Sequence, residues 1–330
     1  MLGIRRREFI TLLGGTLAWP LAARAQRLGA TIGFLGLGSL EGQAEFVAAF
    51  RSGLTESGFV EGRNVTFEFR WAQNDITRLP ELAAELVRRR VDIIVVPSAT
   101  PAALAAKAAT ATIPIVFHTG ADPVQSGLVA SLNRPGGNVT GVTNLGPQAV
   151  AKRLGLLNEI KPGIGSPIAV LVNPRENYGG RPEIPELQSA AATLGRTIEV
   201  FEAGSVSEID AAFERMADKR IEALLVSPSN LFANRPGQIA ILSVRHRIAT
   251  IHIGQAFARL GGLMSYGSDV HENLRQVGLY TGRILNGEKP ADLPVMQSVK
   301  FVLVINMQTA RALGLVVPPT LLAIANEVIE

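Results

Sequence analysis

The chain of 330 residues contains no cysteine. Disulfide bonds and thiolate chemistry are therefore excluded. A lipoprotein is excluded as well, because the lipid of that class is attached to a cysteine. We expect a protein with no lipid anchor.

Side-chain patterns that would indicate an enzyme are also missing. The four histidines share no metal-ligand spacing, and the sequence has neither a Gly-x-Ser-x-Gly elbow nor a Walker loop. The stretch Gly36-x-Gly38-x-x-x-Gly42 is one residue longer than the dinucleotide fingerprint, and the second strand ends without an acidic residue. We therefore expect no catalytic residues, no metal and no cofactor.

The positive charge of the chain is small and lies mostly at its start. The formal net charge is +4, and residues 1–25 hold four arginines against one glutamate. The remaining 28 basic and 27 acidic residues nearly cancel. Polyanion binding needs a basic surface, so we expect no nucleic-acid partner.

The first 25 residues have the pattern of an export signal. Arginines at positions 5–7 precede an uncharged run from Phe9 to Leu21, and Ala23-Arg24-Ala25 forms a small-x-small cleavage site. The run is too short for a spanning helix and is interrupted by glycine and proline. We expect a signal peptide cleaved before Gln26 and a periplasmic protein; an amphipathic surface helix is the alternative.

The basic part of this signal resembles the twin-arginine export motif, which delivers folded proteins. The motif residues are Arg6, Arg7 and Phe9, and the cleavage-site residues are Ala23 and Ala25.

After the signal, apolar runs alternate with helical periodicity. We predict strands at 31–35, 65–71, 92–97, 113–118 and 138–143, and helices at 43–57, 78–90, 101–110 and 123–132. The alternation restarts with strands at 168–173, 198–203, 223–227, 250–253 and 263–266, helices at 186–194, 209–219 and 271–285, and a last strand at 300–305. This order predicts an α/β fold with two doubly wound Rossmann-like lobes joined by a multi-strand hinge.

The repeat also predicts how the chain is divided. We expect residues 28–145 plus about 268–290 to form the first lobe, and 146–267 plus about 291–330 the second. The chain would cross between the lobes near Gly141–Gln148, near Gly267 and near Pro290. Such crossings form a hinge that closes around a ligand.

Small polar residues follow many of the predicted strands, where open α/β sheets bind ligands. The candidate ligand-binding residues are Ser98, Ala99, Thr100, Asp122, Asn173, Tyr178, Ser229, Asn230, Gln255 and Tyr266. Their hydroxyls and amides suit a small polar or amphipathic metabolite. Each also has a structural interpretation: Thr100 and Asp122 precede prolines as helix caps do, the asparagines suit loop backbone, and the tyrosines suit core packing.

Several stretches resemble one known family. They are GFVEGRNVTFEFRWA, SATPAALAAKAATATIPIVFHTGADPV, GLVASLNRPGGNVTGVTNL, GRILNGEKPADLPV and VLVINMQTARALGL. The chain from about Gly29 to Glu330 is similar to ABC-transporter substrate-binding proteins of the tryptophan/tyrosine-binding branch. The resemblance implies a type I periplasmic-binding fold, two lobes that close on a small solute, and delivery to a permease in the inner membrane.

The resemblance also implies roles for some of the candidate residues. The loop Ser98-Ala99-Thr100 matches the family loop that holds a ligand carboxylate, Asp122 lies in the matching Asp-Pro loop, and Asn173, Ser229 and Asn230 match the rim of the second lobe. Amino-acid-binding members tend to carry an aspartate where this chain has the neutral Gln255, which cannot form an ion pair with a ligand amine.

Together these features predict an exported, non-catalytic and monomeric solute receptor. A ligand-sensing module for a membrane signalling partner is one alternative, and an enzyme on a doubly wound scaffold is another. Fold alone does not separate these classes.

Overall fold

The structure is a computed structural model that describes residues 29–144, 147–163, 167–175 and 183–330. The expected signal peptide and Tyr178 lie outside the described residues. In the part of the chain that is described, no helix is long and apolar enough to cross a membrane.

Among the described residues, the first sheet has six strands, all paired in parallel, in the order β11-β5-β4-β3-β1-β2. Its central strands β3 and β4 are buried along their whole length because helices cover both faces of the sheet. The strands are β1 (Ala30–Gly36), β2 (Val65–Trp71), β3 (Ile93–Val96), β4 (Ile115–Thr119), β5 (Val139–Thr143) and β11 (Met296–Gln297).

The described helices that pack on this sheet are α1 (Ala44–Glu56), α2 (Leu79–Arg88), α3 (Thr100–Ala109) and α10 (Val270–Leu285). Helices α2 and α3 cover one face, and α1 and α10 cover the other. Helix α10 lies against α1 at two glycines, because a side chain at Gly53 or Gly278 would overlap the backbone of the other helix. This close approach attaches α10, which follows the second-lobe strands in sequence, to the first lobe.

In the described part of the chain, the second sheet has seven strands in the order β13-β12-β10-β9-β8-β6-β7. All neighbours are parallel except β10 and β12, which are antiparallel. The strands are β6 (Ile168–Val172), β7 (Ile198–Glu202), β8 (Ala223–Val226), β9 (Ala249–His252), β10 (Met264–Ser268), β12 (Phe301–Asn306) and β13 (Glu327–Ile329).

Helices cover both faces of this sheet as well. Some begin at clear capping signals; Ser205, for example, accepts a hydrogen bond from the backbone N–H of Glu208. The helices are α4 (Pro147–Ile160), α5 (Glu183–Thr193), α6 (Val206–Asp218), α7 (Asn230–Ala233), α8 (Pro236–Arg245), α9 (Gln255–Arg259), α11 (Met307–Ala312) and α12 (Pro319–Ile324). Short 3-10 turns lie at Ile76–Arg78 and Pro290–Asp292.

The chain passes between the sheets after β5, after β10 and after β11. The second and third passages are joined, since the N–H of Asp269 donates to the carbonyl of Lys300 (2.9 Å) and the two side chains form an ion pair (2.8 Å). The third passage follows Gln297, because β11 pairs with β5 in the first sheet, whereas the sequence suggested a crossing near Pro290. The limits of the lobes as units stay a prediction.

The predicted two-lobed α/β fold is confirmed, but one predicted helix is wrong. The segment 123–132 forms successive turns instead. Gly127 has a φ of +73°, and the N–H of Ala130 is bonded to the carbonyl of Pro135 rather than to an earlier turn of a helix. The capping signal Asp122-Pro123 therefore starts a turn and no helix.

Candidate ligand-binding cleft

The carboxyl ends of the two sheets face each other. The side chain of Asn234, just after α7, donates a hydrogen bond to that of Asn74, just after β2 (3.3 Å). Both residues are exposed at the rims of their lobes. The sequence gives no signal for this contact, because the two asparagines are 160 positions apart. The space between these rims is the candidate cleft.

The loop between β3 and α3 lies on the first-lobe side of the cleft. The amide of Gln43 and the hydroxyl of Ser98 are within hydrogen-bond distance in both directions (3.1 and 3.3 Å). Ala99 has φ 74° and ψ 111°, a conformation that its β-carbon disfavours. Strained backbone of this kind concentrates at functional sites. Gln43 was not among the sequence candidates, since a single glutamine at the start of a helix carries no distinctive pattern.

Thr100 does not cap the following helix. Ala99 occupies the N-cap position without a side-chain hydrogen bond, and Thr100 is the first residue of α3. The hydroxyl of Thr100 instead lies 2.6 Å from that of Thr119, and both residues are buried. The predicted capping role is wrong because a tertiary partner on β4 takes up the hydroxyl. The helix start nevertheless remains at the cleft.

Asp122 stabilises a turn at the same end of the sheet. Its carboxylate accepts hydrogen bonds from the N–H groups of Val124 (2.8 Å) and Gln125 (3.1 Å). This matches the capping interpretation, although the capped element is a turn. The carboxylate is half-buried, so ligand contact stays a prediction.

On the second lobe, the structure brings Asn173 and Ser229 together. The Asn173 amide donates to the Ser229 hydroxyl (3.3 Å) and its carbonyl oxygen accepts from the N–H of Arg175 (3.0 Å). Ser229 also caps α7 through the N–H of Leu231 (3.1 Å), and Asn230 is the first residue of that helix. These half-buried polar groups lie on the same rim as the cross-lobe contact.

Gln255 and Tyr266 lie on different elements of the second lobe. Gln255 begins α9, and its side-chain oxygen accepts from Arg259 (3.4 Å), which is itself paired with Glu327 (2.8 Å). Tyr266 stacks on Phe301 with ring centroids 5.5 Å apart and planes 15° apart. Burial raises the pKa of the Tyr266 hydroxyl, which therefore stays neutral. Phe301 was not predictable from the sequence, because its stacking on Tyr266 depends on the pairing of β10 with β12.

A buried histidine ends β9. The Nδ1 atom of His252 accepts from the N–H of Gly254 (2.8 Å), and its ring stacks on Phe257 at 5.3 Å. Burial and then the positive charge of buried Arg153 lower the pKa of His252 to about 4. The ring is therefore neutral at physiological pH and has a packing role at this rim.

A groove of about 480 Å³ lies away from the cleft, between α1 and α10. Its polar side chains contact one another: Arg275 forms an ion pair with Glu272 (2.8 Å), and the His271 ring is within hydrogen-bond distance of Glu45 (3.3 Å). Hydrogen bonds from Arg275 lower the pKa of Glu272 to about 2. These pairs leave the groove with little to offer a polar ligand, so the cleft is the better candidate.

Two α/β lobes whose sheet ends face each other across a polar cleft are the architecture expected of a solute-binding protein. Residues 37–329 match the model of the ABC transporter substrate binding protein family, so the chain belongs to that family. The family consists of solute-binding proteins and not of enzymes, which confirms the non-catalytic prediction.

Among curated proteins, the chain is similar to the tyrosine-binding protein of Clostridioides difficile (strain R20291). The two are 30% identical over 268 residues, which cover 81% of this chain and 75% of the relative. Family membership therefore rests on most of the sequence.

Solved structures show the same fold. An ABC domain from Streptococcus pneumoniae in complex with L-Trp superposes with a TM-score of 0.83 at 28% identity, over 91% of this chain and 100% of that one. The ligand-free, open structure of a substrate binding protein with adhesive properties from Clostridium difficile gives 0.70 at 27% identity, over 91% and 99%.

Proposed function

We propose that this protein is an exported receptor of an ABC importer that closes its two lobes on a small amphipathic metabolite. The solute would be delivered to a permease in the inner membrane, and the receptor would act as a monomer in the periplasm. The observation that carries the proposal is the pair of polar loops, at Ser98–Thr100 and at Asn173 with Ser229, on sheet ends that face each other.

The first lobe offers the groups for a ligand carboxylate. The hydroxyl of Ser98 is hydrogen-bonded to Gln43, and the strained Ala99 is the N-cap residue of α3. Hydroxyls and main-chain N–H groups at a helix start favour an anion. A carboxylated solute is therefore the class that we propose for this loop.

The second lobe offers hydrogen-bonding groups and a flat aromatic surface. Asn173 and Ser229 supply the former, and the stacked Tyr266 and Phe301 lie near the hinge on β10 and β12. Stacked rings favour a planar or apolar ligand group. The ligands named for the two relatives, tyrosine and L-Trp, have this chemistry and are the first compounds to test.

Gln255 affects which part of such a ligand is recognised. Its neutral side chain is bonded to Arg259, so it does not supply a charge for an amine. We therefore expect 3-(indol-3-yl)propanoate, which lacks the α-amine of tryptophan, to bind with an affinity close to that of L-tryptophan.

Isothermal titration calorimetry with L-tryptophan, L-tyrosine and the deaminated analogue tests these points. Binding of the analogue within a few-fold of L-tryptophan would support a carboxylate-directed site. A large preference for the amine-bearing ligand would show that another group replaces the ion pair. If a wider panel of carboxylated metabolites also fails to bind, the proposed ligand class is wrong.

Export can be tested separately. The pattern Arg6-Arg7-x-Phe9 motivates the twin-arginine route. Replacing both arginines by lysine should block export, as measured by immunoblot of periplasmic and cytoplasmic fractions. Normal periplasmic yield of the double variant would contradict this route.

A further inference from the structure

A buried histidine lies directly beneath the proposed ligand loop. The Nδ1 atom of His118, on β4, is 3.1 Å from the carbonyl oxygen of Pro97, the residue before Ser98. Its Nε2 atom is 2.8 Å from the side-chain oxygen of Asn144. The residue is 5% exposed. One ring therefore contacts both the base of the ligand loop and the residue that follows β5.

Asn144 connects this ring to two of the passages between the lobes. It is the last described residue before the chain leaves the first sheet, and its N–H donates to the carbonyl of Thr119 (3.0 Å). Its side-chain oxygen also accepts from the amide of Asn273 (2.7 Å). Asn273 lies in the first turn of α10, and its N–H is bonded to the carbonyl of Asp269 in the second passage.

The hydrogen-bond inventory makes this network sensitive to geometry. Two acceptor oxygens face the ring, while a neutral histidine carries a single N–H. Burial lowers the pKa of His118, which favours the neutral ring. The ring therefore donates to the loop or to Asn144, and a shift of either partner changes which contact is satisfied.

We propose that His118, Asn144 and Asn273 are positioning residues that couple the Pro97–Thr100 loop to the angle between the lobes. Ligand binding at the loop would then favour closure through this network. The inference rests on the proposed function for its ligand, but the three contacts belong to the protein itself.

The absence of native cysteine makes the coupling measurable. Exposed positions Ala48 on α1 and Glu214 on α6 can be replaced by cysteine and spin-labelled, one on each lobe. Double electron–electron resonance then reports the distribution of lobe distances, with and without saturating L-tryptophan or L-tyrosine, while calorimetry gives the affinity.

We expect Asn144→Ala and Asn273→Ala to weaken affinity about tenfold, the effect of losing a buried hydrogen bond. At saturating ligand, these variants should also keep a larger open fraction than the parent. Asn286→Ala, at the exposed C-terminal end of the same helix, is the matched control and should match the parent.

Full closure of Asn144→Ala and Asn273→Ala at saturation would overturn the coupling. The coupling would also be overturned if affinity fell in parallel with the melting temperature and the Asn286→Ala control lost affinity to the same extent. If neither amino acid changes the distance distribution of the parent protein, the proposed ligand class is wrong. The coupling is then tested by the distance distributions of the ligand-free proteins. The proposed coupling predicts a broader distance distribution for Asn144→Ala than for Asn286→Ala, and identical distributions would refute it.

Discussion

The strained backbone at Ala99 gives a quantitative test of how the ligand loop is built. Ala99 is 8% exposed and has φ 74° and ψ 111°. A residue held in such a region costs about 1–3 kcal/mol. Glycine has no β-carbon, so Ala99→Gly should recover this strain. The same change lowers the free energy of unfolding by about 0.8 kcal/mol, because a buried methyl group is lost, and by about 0.4–1 kcal/mol, because glycine makes the unfolded chain more flexible.

A matched glycine substitution isolates the strain. Ala102 lies in α3, three residues further on, and is fully buried. Ala102→Gly pays the methyl and entropy costs without recovering any strain. We therefore expect the free energy of unfolding, from urea titrations, to be higher for Ala99→Gly than for Ala102→Gly by about 1–3 kcal/mol. Affinity for the ligand should fall in Ala99→Gly, because the loop is no longer held in one conformation.

Equal destabilisation by the two glycine substitutions would refute the strain at Ala99. A stabilised Ala99→Gly protein with unchanged affinity would place the ligand elsewhere, since relaxing the loop would then have no effect on binding.

Three further predictions concern the rims of the cleft. Asn74→Ala and Asn234→Ala should each speed ligand dissociation, as measured by stopped-flow fluorescence. In a double-mutant cycle, the coupling energy between them should be about 0.5–1.5 kcal/mol. Additive effects would show that the cross-lobe hydrogen bond does not contribute. Because the pKa of His252 is lowered to about 4 from 6.5, stability should be complete above pH 6.5 and fall by up to about 3 kcal/mol as the pH drops towards 4. Urea titrations of the parent and His252→Gln across this range should show a shallower pH dependence in the variant, and equal slopes would contradict the assignment. Tyr266→Leu and Phe301→Leu should each weaken binding of an aromatic ligand but not of an aliphatic carboxylate, as measured by calorimetry; equal losses for both ligands would indicate a packing role.

Local patterns in the sequence were sufficient for most of the fold. Strand β3 is predictable because its four residues are all apolar, and α2 because its buried residues Leu79, Leu82 and Leu86 recur at helical spacing. The alternation of such segments is enough to predict two doubly wound sheets. The predicted helix at 123–132 is wrong, because Gly127 after the capping signal has a positive φ and the segment forms turns.

The candidate site was less predictable, since its geometry depends on distant partners. Thr100 looked like a helix cap in the sequence, but Thr119 on the neighbouring strand takes its hydroxyl. The orientation of Ser98 depends on Gln43, 55 positions away. The residue types at the strand ends were therefore predictable, whereas their hydrogen-bond partners were not.

Small-angle X-ray scattering tests most directly the central claim that the lobes close on the solute. It is measured with and without L-tryptophan, on samples whose binding has been verified by calorimetry. If the two lobes close on the solute, the radius of gyration of the protein falls when the ligand saturates the site. A bound ligand that leaves the radius of gyration unchanged would contradict the account of a receptor that acts by lobe closure.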